Sequence, residues 1–425
     1  MSAAARTSPS VAIVGGGVIG VCSAYFLARR GAAVTVLESG EIARGASYGN
    51  AGAITPGHVP INKPGRLAQA LRSLNRPAQP LYVAPRWDPA LARWLWVFAR
   101  HCSAEHLEAS MAVLGPLGHE SLALFDRLVA EETLSCAYRR EGFYEVYRTE
   151  RGLAAAHEDA ALARRHGYES ADLSGAEMRE KEPALAEGVA GAVRYPEGAT
   201  VDPYRFAVEL AERAGRHGAV IRTGTRVKRV VVRGGRTEGV ELEDGAVVTA
   251  DVVILAAGAY TERLTRPLWI RMPLQPAKGY HRDYRPGGGV PPVRAACILG
   301  EASVFCADLG GYLRFAGTLE FSGFDERMRR SRLEQLTVAA RRFLTGVGEP
   351  APSSEWCGLR PCLPDGLPAV GPAPGVAGLF VATGHAMMGL TLGPVTGRLV
   401  AEYVLDGAPE SDLRLLRADR FQAGR

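Results

Sequence analysis

The chain has 425 residues, 47% hydrophobic and 22% charged, an ordinary globular composition with room for two cores, which excludes a disordered or fibrous protein. Fifty basic against 45 acidic residues leave a net charge of +5 with no run of five like charges, so no nucleic-acid surface is indicated. Seven scattered cysteines without a Cys-x-x-Cys pair give neither a disulfide framework nor a metal site and point to a reducing compartment. Glycine is the outlier: 50 residues, about 12% against an average of roughly 7%. No three-residue period accompanies the excess, so it must serve turns or close approaches of backbone to something bound.

Residues 1–10 read as a disordered polar tip. Val11–Val14 then forms a strand, Gly15-Gly16-Gly17-Val18-Ile19-Gly20 opens a helix ending at Arg30-Gly31, and Ala33–Leu37 forms a second strand closed by Glu38. Val11 to Ala28 carries no charge and imitates a membrane span, but four glycines within it would weaken a spanning helix. A buried strand, a phosphate turn and a buried helix account for the same run. In this βαβ unit Gly15 permits the tight turn, Gly17 admits a pyrophosphate, Gly20 lets helix and strand pack, and the helix N-terminus at Val18 and Ile19 attracts the phosphates. Glu38, followed by Ser39, is placed to accept the adenosine ribose hydroxyls.

NAD and FAD share this fingerprint. The stretch Arg44 to Gly52 contains Gly45, Ala46, Ser47, Asn50, Ala51 and Gly52, small residues that follow an extended cofactor beyond its pyrophosphate, and this favours FAD. Gly287-Gly288-Gly289 is a proline-bounded loop rather than a second fingerprint, so NAD(P)H is not expected to serve the flavin within this chain.

From about 60 to 190 the pattern turns to amphipathic helices. Leu91, Trp94, Leu95 and Phe98 take helical spacing beside Trp87 and Trp96; the stripe reads as second-domain core, with a membrane-surface or quinone-facing patch as the alternative. Gly142–Tyr147 alternates as a strand, Tyr204–Arg216 reads as a helix, and Val227–Val232, Gly239–Glu243 and Val247–Ala250 as a meander, Val227 being a cofactor candidate. Asp251–Leu255 is a buried parallel-type strand running into a turn at Ala257-Gly258. Residues 271–325 alternate in antiparallel fashion, notably Tyr312–Phe321, and a helix follows around Leu333–Leu344. Leu379–His385 is a strand into a loop, and Thr391–Leu405 a helix with Gly393 and Pro394 in its first turn. The chain thus returns late to its first domain, and the two domains interleave.

The glycine turn, Asn50-Ala51-Gly52-x-x-Thr55-Pro56-Gly57, Lys278-Gly279-Tyr280, Gly358-x-Arg360-Pro361 with Pro364-Asp365-Gly366-x-Pro368, and Thr383-Gly384-His385 together resemble the FAD-dependent D-amino-acid dehydrogenases, a family within the larger group of glycine, sarcosine and D-amino-acid oxidases. The resemblance spans essentially the whole chain. It implies an α/β fold with a Rossmann-like FAD domain (1–59, 190–270 and 356–425) interleaved with an α+β substrate domain containing an antiparallel sheet (60–189 and 271–355). It also implies oxidative deamination of free D-amino acids, with electrons passed to a quinone or other acceptor.

A substrate carboxylate needs a planar, permanently charged, bidentate partner, and Arg360 between Gly358 and Pro361 is the candidate, matching the family's carboxylate-binding arginine. Tyr280 and, less directly, Tyr312 are candidate second donors to the carboxylate. His58 and His385 are available as bases, although the family chemistry requires none; His385 is read as a flavin or backbone partner. Gly384 to Thr391, with Gly389 and Leu390, is expected against the isoalloxazine ring. His281 stands where the family commonly has serine, and Ala386-Met387-Met388 makes the adjoining wall apolar. Met387 thereby favours an apolar or ring-shaped substrate such as D-proline or cis-4-hydroxy-D-proline. Cys357 lies near where some sarcosine oxidases attach flavin, but the spacing differs and non-covalent FAD is expected. Alternatives are a peroxide-forming glycine- or sarcosine-type oxidase, or a flavoprotein subunit that only transfers electrons. Cytoplasmic location is the expectation, with peripheral membrane contact through Trp94–Phe98 as the open alternative.

Overall fold

The computed structural model describes residues 8–66, 79–349 and 351–422. Residues 1–7 of the expected polar tip and residues 67–78 of the helical region lie outside these. Ser10, expected within the tip, already belongs to the first strand.

The first domain is built on a six-stranded sheet with strand order Ala369–Pro372, Leu379–Thr383, Val252–Leu255, Ser10–Val14, Ala33–Leu37, Val220–Arg222. All neighbours are parallel except the edge strand Ala369–Pro372. Val11–Val14 and Val252–Leu255 are wholly buried, as expected of central strands covered on both faces. The Val18–Arg29 helix packs against Gly393–Leu405 and Pro203–Arg216. The last of these starts at Pro203 behind Asp202, whose carboxylate accepts from the Tyr204 and Arg205 amides at 3.0 Å, a proline-assisted N-cap. Val227–Arg233, Arg236–Leu242 and Val247–Thr249 form the expected meander.

The second domain carries a nine-stranded, largely antiparallel sheet whose spine is Ser354–Cys362, Gln275–Tyr284, Leu313–Phe321 and Val304–Asp308. Helices Pro89–Arg100, Ala104–Glu131, Glu150–Arg165 and Arg330–Phe343 accompany it. Hydrogen bonding shifts two of the expected boundaries. Gly191–Tyr195 pairs with Phe143–Tyr147, and Ser354–Cys362 pairs with Gln275–Tyr284, so both strands belong to the large sheet and the segments expected to begin at 190 and 356 begin later. Among the described residues no helix is long and apolar enough to cross a membrane. Leu91, Trp94 and Phe98 are buried, with Trp94 and Phe98 stacked at 5.2 Å, so this stripe is core, the first of its two readings.

Candidate active site

A cleft of about 830 Å³ runs from the glycine turn to the front face of the large sheet. At its first end Gly15 takes φ +110 and a Cβ on Gly20 would lie 1.9 Å from the Gly15 carbonyl, so both glycines are required by the turn. The Glu38 carboxylate accepts from the Gly16 and Gly40 amides at 2.7 and 2.8 Å, and Ser47 Oγ accepts from the Val18 amide at 2.9 Å. The strand ends and the helix N-terminus therefore converge with the Gly45–Asn50 run on one trough. Gly45 and Gly258 face open space there.

Arg314 attaches this run to the second domain. Its guanidinium is bidentate to Asp283 at 2.8 and 2.9 Å and also donates to the Tyr48 and Asn50 carbonyls at 3.0 and 2.8 Å. The sequence reading missed Arg314, because only the fold brings it to residues more than 260 positions earlier.

The other end of the cleft is set by strand register. Ala277, Gly279 and His281 pair with Arg360, Gly358 and Trp356, and alternation puts these six on one face. The Gly279–Gly358 pair carries no side chains, and its neighbours on this face fill the space above it. The Arg360 guanidinium lies across Gly279, where a Cβ would come within 2.0 Å of it, and the Trp356 ring lies against Gly358 and Gly49. Arg360 donates from Nη1 to the Thr318 carbonyl at 2.9 Å. Thr318 sits at φ +64 beside an irregularity in the pairing of its strand with Gln275–Tyr284, a costly conformation for a β-branched residue. Among the described residues Arg360 makes no ion pair. Burial draws its pKa down from the ordinary arginine value, yet a guanidinium stays protonated. The result is a fixed cation on the cleft wall without a protein counter-charge.

Most of the expected cofactor residues line this cleft: Gly15, Gly17, Val18, Ile19, Glu38, Ser39, Gly45, Ala46, Ser47, Asn50, Val227, Ala257, Gly258, Arg360, His385, Gly389 and Leu390. Gly20, Ala51, Gly52, Gly384 and Thr391 do not. They support the wall from behind: Gly52 packs on the Val201 carbonyl, Gly384 on Leu363, and Thr391 Oγ1 accepts from the Thr55 amide at 3.1 Å. The cleft also takes in Thr225, Arg226, Lys228 and Glu243 of the meander, and Tyr260, Arg263, Phe324 and Glu326 at its rim. Tyr260 and Arg263 follow directly after the Gly258 turn at the carboxyl end of a parallel strand, a position that signals ligand contact.

The expected substrate residues other than Arg360 are not brought to it. Tyr280 lies on the opposite face of its strand, fully buried, with its hydroxyl donating to Glu320 at 2.9 Å. Tyr312 donates to Asp202 at 3.0 Å, supporting the Pro203 helix cap. His58 lines a separate cavity of about 50 Å³ with Lys63, Glu145 and Asp159, where burial pushes its pKa down to about 4. Met387 is exposed and is not part of the cleft lining. His385 does line it, with Nε2 at 3.0 Å from Thr396 Oγ1, and burial pushes its pKa down to about 3, so the ring is neutral. Among the described residues no cluster could hold a metal ion.

A cleft of this length, with a helix N-terminus and a carboxylate at one end and a cation on an apolar floor at the other, fits a dinucleotide laid out in full with a small anion at its far end. The sequence matches the FAD dependent oxidoreductase family over residues 10–403, and the chain belongs to that family; its cofactor is FAD. It is 35% identical over 419 residues to the D-amino acid dehydrogenase of Methylobacterium radiotolerans, covering 97% of this chain and 100% of that one. It is 33% identical to the D-amino acid dehydrogenase of Xanthobacter autotrophicus, over 97% and 99% of the two chains. Among solved structures the glycine oxidase of Geobacillus kaustophilus superposes with a TM-score of 0.79 at 26% identity, covering 98% of this chain and 100% of that chain.

Proposed function

We propose that the protein oxidises free D-amino acids: substrate, water and an oxidised two-electron acceptor give a 2-oxo acid, ammonium and the reduced acceptor, or a cyclic imine when the nitrogen lies in a ring. The observation that carries this is Arg360, a desolvated guanidinium fixed in the cleft without an acidic partner among the described residues. One N–H is spent on Thr318, and the guanidinium has further donors for a carboxylate in the planar, two-bonded manner that an ammonium cannot match. FAD, when bound non-covalently along the trough, supplies the acceptor for the hydride of the substrate's α-carbon, chemistry beyond any side chain.

The chain's own part is to orient and to exclude. The Gly279–Gly358 pair seats the Arg360 guanidinium and the Trp356 ring flat against the sheet, which fixes the cation that holds the substrate. Trp356 stacks on His281 with ring centroids 5.5 Å apart beyond the Gly279–Gly358 pair, and burial holds the His281 pKa well below its usual value, so the face that Arg360 shares carries no second cation there. Leu359, Pro361, Ala386 and Leu390 of the cleft lining, in place of Met387, support an apolar or ring-shaped substrate such as D-proline or cis-4-hydroxy-D-proline. No side-chain base is needed: the amine loses its proton to solvent, and neutral His385 serves as a hydrogen-bond partner beside the reacting centre.

A quinone is the proposed acceptor, with peripheral contact to the membrane that holds it. The likeness to glycine oxidase favours a second reading, in which oxygen takes the electrons; stoichiometric peroxide in air separates the two. The primary test is anaerobic bleaching of the bound flavin by a panel of D- and L-amino acids, D-proline, cis-4-hydroxy-D-proline, sarcosine and glycine. Rapid bleaching by apolar or cyclic D-enantiomers is expected. A protein that no member of the panel reduces would instead be an electron-transfer subunit.

A further inference from the structure

Arg360 belongs to Ser354–Cys362, but the carbonyl that holds its guanidinium is two strands away. The side chain crosses Gly279 of Gln275–Tyr284 and reaches Thr318 of Leu313–Phe321, where Nη1 donates to the Thr318 carbonyl at 2.9 Å. The pairing of these last two strands runs from Tyr280 with Gly317 to Lys278 with Glu320. Thr318 and Leu319 therefore oppose the single residue Gly279, which makes a β-bulge, a feature that re-aims backbone groups beside active sites. The Leu319 amide donates to the Pro80 carbonyl at 2.8 Å, and the Thr318 carbonyl is turned to Arg360.

Glycine is the ordinary residue for a left-handed bulge position, yet Thr318 holds φ +64 with a β-branched side chain. Its hydroxyl adds a second cost: Thr318 is 7% exposed and Oγ1 is buried with no hydrogen-bond partner among the described residues. Seven non-glycine residues take positive φ among the described residues, and two of them hydrogen-bond to the Arg360-Pro361 dipeptide. The second is Ala386 of the cleft lining, at φ +47, whose amide donates to the Pro361 carbonyl at 2.9 Å. Strain gathered on both sides of one dipeptide persists where function depends on the geometry it fixes.

We propose that Thr318 is the positioning residue of the carboxylate site: its left-handed backbone, stiffened by the branched side chain, fixes the carbonyl that sets the rotation of the Arg360 guanidinium before substrate arrives. A guanidinium ordered in advance loses less freedom when a carboxylate binds, and the difference appears as affinity. The proposal rests on the reading of Arg360 as the carboxylate anchor. The test titrates benzoate into the FAD-loaded protein, read by the shift in flavin absorption, beside urea midpoints of the same preparations. Thr318→Gly keeps the carbonyl and accepts positive φ without strain, but frees the backbone. It should bind benzoate about fivefold more weakly than the parent, while FAD content and urea midpoint do not fall, because the relieved strain offsets the lost packing. Thr318→Val keeps the branch and drops the unpartnered hydroxyl, so it should recover most of the affinity and raise the midpoint. A merely structural role would lower affinity and midpoint together, and that outcome overturns the proposal. So does Thr318→Gly binding benzoate like the parent, or Thr318→Val binding as weakly as the glycine variant, which would shift the effect from backbone to hydroxyl. Arg360→Ala in the same titration separates the two claims. Benzoate binding lost there but intact in Thr318→Gly leaves the anchor standing and sinks the positioning role; binding absent from the parent, or undiminished in Arg360→Ala, sinks the anchor and the role of Thr318 with it.

Discussion

Arg360 draws its chemistry from neighbours that have no charge: a glycine beneath it, a strained threonine carbonyl holding one N–H, and an aromatic wall at the other side of the Gly279–Gly358 pair. Trp356 is the bulk in that wall, so shortening it should change which side chains fit. Trp356→Leu is expected to raise kcat/KM for D-phenylalanine relative to D-alanine by about tenfold while FAD stays bound; an unchanged ratio would place the substrate side chain elsewhere. At this scale Arg360 was legible from its Gly-x-Arg-Pro setting, but Tyr280 was not. Every residue of Gln275–Tyr284 is buried, so no polar alternation marks which side faces the cleft, and an assignment that is off by one residue in a strand lands on the wrong face. His58 failed for another reason: a short loop sequence does not say which of two neighbouring cavities it enters.

At the level of elements, the cofactor run 45–52 keeps its place because a strand of the other domain grips its carbonyls. Arg314 and Asp283 are both buried, and removing one partner of such a pair strands the other charge. Asp283→Asn should destabilise the protein by about 3 kcal/mol and loosen FAD, measured as a lower urea midpoint and a higher FAD dissociation constant. Retention of both would show the clamp to be dispensable. The βαβ unit was readable because its strands, turn and helix are contiguous and each has its own period. The clamp and the membership of Ser354–Cys362 in the large sheet were not, because pairing between strands more than 70 positions apart leaves no local pattern.

Across the whole molecule, histidines whose desolvation disfavours the imidazolium set the response to acid. His58, His106, His281 and His385 have pKa values pushed below 6.5, to about 4 for His58 and about 3 for His385. Each therefore contributes stability that is present above pH 6.5 and is lost as the unfolded chain takes up a proton that the native protein refuses. Glu145 acts in the opposite sense: burial raises its pKa to about 7, so its contribution is present below about pH 4.5 and is lost as pH rises through 7. Between about pH 6 and 5 the histidines outnumber Glu145, the unfolded chain holds more protons than the native one from these groups, and stability should fall as pH falls. Urea midpoints of the FAD-loaded protein check this, with a shallower fall expected for His58→Gln; a midpoint that does not move between pH 7 and 5 would contradict it.

The account as a whole turns on a cation in the cleft awaiting a substrate carboxylate, and anaerobic flavin reduction of Arg360→Ala beside the parent tests it most directly. The parent's flavin should bleach with an apolar or cyclic D-amino acid. The variant should keep its FAD and lose at least about a hundredfold in reduction rate per molar substrate, with partial recovery in Arg360→Lys. A variant that bleaches at the parent's rate, or one that simply loses FAD, would contradict the assignment.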